Sequence, residues 1–332
     1  MKAKTQSKTR PPTTHRGATN PRAEEQVLHK RSFTGLQETA WRLSRDIIEM
    51  TTKAGSGHPS SSLSAIDILT GLYFGGILRY TPAQPDWPGR DRFILSKGHG
   101  APALYAVLAE AGYFDKALLA TLRQIGSPVE GHPNMRALPG VEASTGSLGQ
   151  GLSIGLGHAL AARVDGRDYR VYVLMGDGEA DEGQNWEAAM CAAKYKMDNL
   201  TLILDYNGFQ QTAAVDIVMP SLAPVVAKWQ AFGWYAMSID GHNMEQIMQA
   251  LQTLPTITQQ PQIIIAHTRK GRGLSPFEKN DTNRKHGEAL NEAEMATALA
   301  ELDEMKYWKG FGDITPIITP QDKYGERTNG NR

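Results

Sequence analysis

The chain has 332 residues, which is enough for one large domain or two ordinary ones. Apolar residues make up 40% of the sequence and charged residues 21%, so a sizeable core is possible and wholesale disorder is excluded. Lys plus Arg and Asp plus Glu both number 35, and the sequence therefore lacks the basic excess that is typical of nucleic-acid-binding proteins.

The cysteine content and the apolar pattern indicate the compartment. Cys191 is the single cysteine, which excludes an internal disulfide or a cysteine-cluster metal site and is typical of a reducing environment. No apolar stretch approaches membrane-spanning length, and the basic N-terminus lacks the apolar segment of a secretory signal. We therefore expect a cytoplasmic protein that binds neither nucleic acid nor a membrane.

Composition changes at both ends of the chain. Residues 1–26 are rich in Lys, Arg, Thr and Pro and are predicted to form a flexible basic tail. Residues 311–332 are rich in Gly, Pro and charged side chains, and we predict a C-terminal tail that lies over a surface or reaches another chain. A single domain at 27–310 is expected between the tails.

Helical and strand patterns alternate within this domain. Apolar residues at three-to-four spacing predict helices, and short apolar runs predict strands. The predicted order is helix 36–52, helix 63–74 with the serines at 60–62 as N-cap candidates, strand 92–95, helix 101–111, helix 152–162, strand 170–175, helix 184–195, strand 200–205, helix 222–232, strand 233–239, helix 243–254, strand 262–268 and helix 288–305. This alternation predicts an α/β fold, with helices on both sides of a doubly wound, mainly parallel sheet.

Oxygen ligands follow two of the predicted strands. In such sheets ligands bind beyond the carboxyl ends of the strands, and Asp177 and Asn207 occupy equivalent positions there. A carboxylate and an amide oxygen suit Mg²⁺ or Ca²⁺, with the remaining ligands supplied by substrate phosphates and water. Gly176 and Gly178 would let the backbone approach those phosphates. An ordinary turn with a capping Asp explains Gly-Asp-Gly alone, but the later Asn207 favours the metal.

Two glycine-rich loops allow more than one interpretation. Residues 144–151 contain three glycines before a predicted helix rich in Gly and Ala, which permits close approach of a flat ligand but is equally typical of a tight turn. Residues 268–273 carry basic groups and glycines after a strand. They would hold a phosphate, or they would form an exposed basic loop.

Four of the nine histidines lie in loops bounded by Gly or Pro: His58, His99, His132 and His286. This shared context indicates loops that converge on one polar pocket. Zinc is the competing explanation, but no pair of histidines and no cysteine set has the spacing of zinc ligands.

Taken together and in order, these segments resemble the transketolase family, in particular its thiamine-diphosphate-binding N-terminal half. The resemblance covers about residues 30–290 and is carried by residues 56–59, 90–99, 131–133, 144–151, 176–188, 205–207, 270–273 and 286–287. The resemblance implies the thiamine-diphosphate-binding fold of the type that holds the cofactor diphosphate.

The resemblance also implies roles for individual residues. Asp177, Asn207 and the backbone carbonyl of Phe209 would bind the divalent metal, Mg²⁺ or Ca²⁺. His58 and His286 would face the substrate carbonyl, and His132 the terminal hydroxyl of the donor, as the catalytic residues. The implied cofactor contacts come from His99, Gly146, Ser147, Leu148, Gly178, Glu179, Asn207 and His286. Glu182 and Glu187 would be supporting and subunit-interface carboxylates.

The implied reaction transfers a two-carbon ketol unit from a ketose or ketose phosphate to an aldehyde acceptor. Family members of full length continue into a pyrimidine-binding domain, whose Glu pairs with the aminopyrimidine of thiamine diphosphate, whereas this sequence ends at Arg332. We therefore expect the N-terminal subunit of a split transketolase. It would be inactive alone, and a separate C-terminal subunit with the pyrimidine-binding and C-terminal domains would complete an α2β2 assembly.

Some positions depart from the common family pattern and leave the donor and acceptor sugars open. Ser147 stands where many single-chain members have Pro, the serines at 60–62 replace a Gly-Ala-Pro type of stretch, and Lys97 replaces an Asn. The nearest alternatives are a deoxyxylulose-phosphate synthase and the α subunit of a 2-oxo-acid dehydrogenase, which share Gly-Asp-Gly and Asn. Residues 131–133 and 270–273, together with His286, favour transketolase.

Two further alternatives belong to other classes. A non-catalytic homologue would be expected to have lost metal ligands or pocket histidines, but all of them are present in this sequence. A nicotinamide-dependent dehydrogenase would need a G-x-G-x-x-G turn between a strand and a helix, and no stretch has that context.

Overall fold

The structure is a computed structural model that describes residues 30–280 and 282–312. The predicted basic tail at 1–26 and residues 313–332 of the predicted C-terminal tail lie outside this part of the chain. Phe311, at the start of the predicted C-terminal tail, donates its backbone N–H to Asp240 Oδ2 at 2.8 Å. The proposed boundaries of the domain and the tails stay predictions.

In the part of the chain that the structure describes, five strands form one parallel sheet, as the alternating pattern predicted. The strands are β1 (Arg92–Leu95), β2 (Val171–Gly176), β3 (Leu200–Tyr206), β4 (Tyr235–Asp240) and β5 (Gln262–His267). Their order in the sheet is β1-β2-β3-β5-β4, and each neighbouring pair is parallel. The register places Gly176 opposite Asp205, so the turns after β2 and β3 begin side by side.

Helices cover both faces of this sheet. They are α1 (Phe33–Ala54), α2 (Pro59–Leu63), α3 (Ile66–Phe74), α4 (Ala101–Glu110), α5 (Gly151–Val164), α6 (Gly183–Lys194), α7 (Val215–Val218), α8 (Val225–Ala231), α9 (Met244–Thr253), α10 (Ser275–Glu278) and α11 (Glu292–Glu304). Over the residues described, none of these helices combines the length and the apolar character needed to cross a bilayer.

Alternate side chains of each strand enter different cores. On β2, Tyr172 and Leu174 pack into the layer that contains α1, α3 and α4, whereas Val173 and Met175 pack into the layer of α5 and α6. All four side chains are buried, and burial of each large apolar side chain contributes roughly 1.5–3 kcal/mol to folding. Because successive side chains of a strand point to opposite faces of the sheet, the apolar run of β2 contributes to both cores.

The ends of α1 follow from its sequence. The Ser32 hydroxyl accepts the Gly35 N–H at 3.1 Å and caps the first turn. Gly55 ends the helix with a left-handed backbone at φ 60°, where its N–H donates to the carbonyls of Thr51 and Thr52. These caps extend the helix beyond the apolar stripe at 36–52 from which it was predicted.

The predicted helix at 63–74 was wrong at its start. The serines at 60–62 are not its N-caps but lie within α2, a separate short helix that begins at Pro59. Proline favours the first helical position because its ring fixes φ and it has no N–H to satisfy. The Ser62 hydroxyl donates to the His58 carbonyl at 2.9 Å, one turn back, and therefore does not cap a helix.

Candidate cofactor site

A cavity of about 390 Å³ lies at the carboxyl edge of the sheet. Most of the predicted site residues line it, namely His58, His99, His132, Gly146, Leu148, Asp177, Gly178, Glu179, Asn207, Phe209 and His286. Ser147 does not line the cavity, and its side chain is exposed. Glu182 lies at the wall of the cavity, while Glu187 is exposed on α6 and does not line it.

The histidines converge as their loop contexts predicted. The ring centroids of His58, His99 and His286 lie 5.0–5.2 Å apart, and His132 lies 6.4 Å from His58. In the described part of the chain, no three or more His, Cys, Asp or Glu residues are arranged to hold a metal ion. The histidine cluster therefore offers no support for the zinc alternative.

Burial keeps these imidazoles neutral. Burial, together with the nearby cations, lowers the pKa of His58 to about 4 and that of His286 to about 3. The same effects hold the pKa of His99 well below its ordinary value. A neutral imidazole has one donor and one acceptor nitrogen, so it can both hold and release a proton. His58 Nδ1 is buried and has no hydrogen-bond partner among the described residues, which leaves it available to a ligand.

The two predicted oxygen ligands, Asp177 and Asn207, lie at neighbouring turns. Asp177 Oδ1 accepts the Gly178 N–H at 2.8 Å, and Oδ2 accepts the Gly208 N–H at 2.6 Å. The carboxylate thus links the turn after β2 to the turn that contains Asn207. Burial, together with the nearby Asp205 carboxylate, raises the pKa of Asp177 to about 7. A divalent cation would lower the pKa of Asp177 again, because an opposite charge favours the ionised carboxylate.

The donor set fits a hard divalent cation. Asp177 offers carboxylate oxygens, Asn207 an amide oxygen and Phe209 a backbone carbonyl, and all three residues line the cavity. Mg²⁺ prefers such oxygens and takes its remaining ligands from phosphates and water. A side chain at Gly178 would bring its Cβ within 2.6 Å of Gln210 Cβ, so glycine keeps this wall of the cavity open.

Glu179 holds two loops together. Its carboxylate accepts the Gly149 N–H at 2.9 Å and the Gly176 N–H at 3.2 Å, and it also accepts the Ser96 hydroxyl. These contacts fix the glycine-rich loop at 144–151 against the turn after β2. Because the carboxylate oxygens accept hydrogen bonds from the protein itself, Glu179 shapes the cavity wall, and its predicted contact with a cofactor stays a prediction.

Lys97 is a cavity residue that the predicted set did not contain. It is buried and forms an ion pair with Asp205, and it donates to the Ser61 carbonyl at 2.7 Å. Asp205 also accepts the Ser64 hydroxyl at 2.5 Å. Burial alone would raise the pKa of Asp205, but the Lys97 ammonium lowers it. The sequence signal was a lysine two residues after a buried strand and directly before Gly98-His99.

Lys270 is a second lysine missing from the predicted set. It is buried at the cavity, and its Nζ lies 2.7 Å from His286 Nδ1. Burial and the charge of Lys97 lower the pKa of Lys270 to about 7. The alternative of an exposed basic loop at 268–273 therefore fails for Lys270 and Arg272, both of which are buried.

Several known proteins resemble this chain in sequence. Residues 36–326 match the family model "Transketolase, thiamine diphosphate binding domain". The 6-deoxy-6-sulfo-D-fructose transketolase subunit SqwG of Clostridium sp. (strain MSTE9) is 42% identical over 269 residues, which are 81% of this chain and 96% of that protein. An apulose-4-phosphate transketolase subunit of Phocaeicola vulgatus is 43% identical over 232 residues, 70% of this chain and 82% of the relative.

Solved transketolase structures share the fold. Transketolase from Campylobacter jejuni matches with a TM-score of 0.75 and 34% sequence identity, over 81% of this chain and 42% of that one. The chain thus spans about two fifths of the solved transketolases it matches, but most of the two relatives named as subunits. The matches support transketolase and offer no support for the deoxyxylulose-phosphate synthase or dehydrogenase alternatives. The chain belongs to the transketolase family, and it corresponds to the thiamine-diphosphate-binding N-terminal part of that family.

Proposed function

We propose that this chain binds thiamine diphosphate together with Mg²⁺ in the cavity at the carboxyl edge of the sheet. The observation that carries this proposal is the convergence of Asp177, Asn207 and Phe209 with the two buried lysines in one cavity. The three oxygen ligands would hold the metal, and the Lys270 ammonium would favour the diphosphate. Ca²⁺ would also fit this ligand set.

The bound cofactor supplies the electron sink for breaking and forming a carbon–carbon bond next to a carbonyl. The protein residues bind, orient and move protons around it. His58 and His286 are neutral at pH 7 because burial lowers the pKa of both, so each can donate to or accept from a carbonyl or hydroxyl oxygen. His132 is more exposed at the edge of the cluster, where it would contact a terminal hydroxyl of a ketose.

The proposed reaction is transfer of a two-carbon ketol unit from a ketose or ketose phosphate to an aldehyde. The relatives bear the names of a sulfofructose and an apulose-phosphate transketolase subunit. Both names denote sugars with an anionic group. We assign this chain the same general class of substrate, ketoses that carry a phosphate or another anionic group.

The proposed partner is a C-terminal transketolase subunit with the pyrimidine-binding domain, in an α2β2 assembly in the cytoplasm. Support comes from the relatives named as subunits, of whose length the chain covers 96% and 82%. It covers about two fifths of the solved transketolases. Glu182 and Glu187 are exposed in this chain, as residues of a subunit interface would be.

The test is a calorimetric titration of thiamine diphosphate with Mg²⁺ into the chain, first alone and then with its candidate C-terminal partner. Tight binding in the mixture that is lost with Asp177→Ala would support the proposal, as would turnover of a ketose without pyruvate. Full turnover by the chain alone would overturn the need for a partner. Absence of binding in both samples would favour a non-catalytic homologue.

A further inference from the structure

The loop after β5 has an uncommon backbone conformation. Gly271, Arg272 and Gly273 all have positive φ angles of 79°, 60° and 78°. For Arg272 this is the left-handed region, which a residue with a Cβ enters at an energetic cost. Such a conformation persists where the surrounding structure holds it in place.

Asp67, in the first turn of α3, holds Arg272. Arg272 Nε donates to Asp67 Oδ2 and Nη2 donates to Oδ1, both at 2.9 Å, in a bidentate ion pair. Both side chains are buried, with exposed fractions of 3% and 4%. Burial alone would raise the pKa of Asp67, but the Arg272 guanidinium and His242 lower it to about 2. The carboxylate is therefore charged throughout the neutral pH range.

His242 extends this contact to the other side of the loop. Its Nδ1 lies 2.8 Å from Asp67 Oδ2, and its Nε2 accepts the Arg269 backbone N–H at 3.0 Å. Because Nε2 is an acceptor, the ring proton lies on Nδ1 and is donated to Asp67. Asp67 thus fixes the side chain of Arg272 directly and the backbone of Arg269 through His242.

Lys270 lies between these two anchored residues. Its side chain lines the cofactor cavity, and its Nζ lies 2.7 Å from His286 Nδ1. Asp67, His242 and Arg272 do not line the cavity, so any effect they have on a ligand must pass through the loop.

We propose that Asp67, Arg272 and His242 are positioning residues that direct the Lys270 ammonium at a diphosphate in the cavity. The identity of the anion rests on the proposed function. The placement of Lys270 is a property of the unliganded chain, and it is tested separately.

The first test follows the lysine side chains of the unliganded chain by NMR, with the Lys270 signal assigned by its loss in Lys270→Met. Burial and Lys97 lower the pKa of Lys270 to about 7, against the smaller opposing effects of Asp177 and Asp205. In Asp67→Asn the loop would loosen and Lys270 would reach water, so its titration midpoint should rise towards the ordinary value for lysine. An unchanged midpoint would overturn the network.

A matched control is Asp91→Asn. Asp91 is also a buried carboxylate in an ion pair with an arginine, Arg79, but it lies at the amino end of β1. Its replacement should leave the Lys270 midpoint unchanged. Should Asp67→Asn fail to fold, Arg272→Lys keeps the charge, removes the bidentate contact and should still raise the midpoint.

The second test is calorimetric titration of thiamine diphosphate with Mg²⁺ under the conditions in which wild type binds. Asp67→Asn and Lys270→Met should each weaken binding about tenfold or more, as expected for loss of a charged hydrogen bond. The double variant should bind no more weakly than Lys270→Met alone. A further loss in the double variant would overturn the proposal.

If wild type does not bind thiamine diphosphate, the cofactor assignment fails while the NMR test still decides the placement of Lys270.

Discussion

Two buried lysines line the cavity, but they are stabilised in different ways. The Lys97 ammonium forms a salt bridge with the Asp205 carboxylate and also donates to the Ser61 carbonyl. Lys270 contacts His286, and in the described part of the chain no carboxylate lies within ion-pair distance of its Nζ. The Lys97 charge is therefore neutralised by the buried Asp205 carboxylate, whereas the Lys270 ammonium would be stabilised by a bound anion.

Lys97→Met is expected to destabilise the chain strongly. The substitution leaves Asp205 buried near the carboxyl end of β3 without its cation, and breaking a buried ion pair in this way costs about 3–5 kcal/mol. The double variant Lys97→Met with Asp205→Asn should recover most of this loss, because it removes both charges. Chemical denaturation of the three chains measures the free energies of unfolding.

The control for this prediction is Arg167→Met. Arg167 and Asp165 form an exposed pair at 3.8 Å, and such surface pairs contribute less than about 1 kcal/mol. A double variant as unstable as Lys97→Met alone would show that the uncompensated carboxylate is not the cause of the loss.

The sequence predicted the residues of the site whose position follows from strand ends and loop motifs. Asp177, Asn207 and the four histidines line the cavity as expected. Lys97 and Lys270 were absent from the predicted set because their burial depends on tertiary contacts. A lysine in a polar loop has the same local pattern whether its ammonium meets Asp205 or water. Ser147 is the opposite case. It was predicted as a cofactor contact from its place in a motif, but its side chain is exposed and does not line the cavity.

At the scale of elements, α5 shows how a glycine-rich helix positions the loop before it. Gly155 faces β2, where a Cβ would lie 2.5 Å from Val173 Cγ2. Gly157, two residues further on, has no heavy atom of the described residues within 4 Å of such a Cβ. The absence of a side chain at Gly155 lets the helix lie close to the sheet, and thereby fixes the loop at 144–151 that precedes it.

Alanine substitutions at these two glycines should have opposite effects on stability. Gly155→Ala should destabilise the chain by about 1–3 kcal/mol, because an overpacked contact forces the helix away from Val173. Gly157→Ala should stabilise it by about 1 kcal/mol, because alanine has the higher helix propensity. Denaturation midpoints of the two variants and the wild type measure the difference. Equal stabilisation by both would show that α5 does not need close contact with β2.

Helix positions were more predictable than helix ends. The apolar stripes of α1 and α9 were long and regular, and both helices lie where the sequence predicted them. The last predicted helix began at residue 288, whereas α11 begins at Glu292. Its start is fixed by a capping box in which Asn291 and Glu294 satisfy each other's backbone N–H groups. The position of such caps depends on side-chain geometry, which periodicity does not report.

At the scale of the whole molecule, parallel pairing brings segments that are distant in the chain to one edge. The carboxyl ends of β1, β2, β3 and β5 carry the loops with Lys97, Asp177, Asn207 and Lys270. The alternation of strands and helices predicted a parallel sheet, and therefore the edge at which ligands bind. The order β3-β5-β4, which places the Lys270 loop next to Asn207, did not follow from that alternation and required the structure.

Because the site is assembled from separate loops, a ligand should order all of them at once. At a concentration 100 times its Kd, a ligand stabilises the folded chain by about 2.7 kcal/mol. Hydrogen–deuterium exchange should therefore slow together at residues 96–99, 146–149, 176–179, 207–211 and 270–273 when thiamine diphosphate and Mg²⁺ are added. Thiamine without the diphosphate should protect the last three segments less, because these loops carry the proposed metal ligands and Lys270. Residues 135–142 line a separate cavity and provide the internal control. Protection confined to one loop, or equally strong at 135–142, would contradict a single site built across the sheet edge.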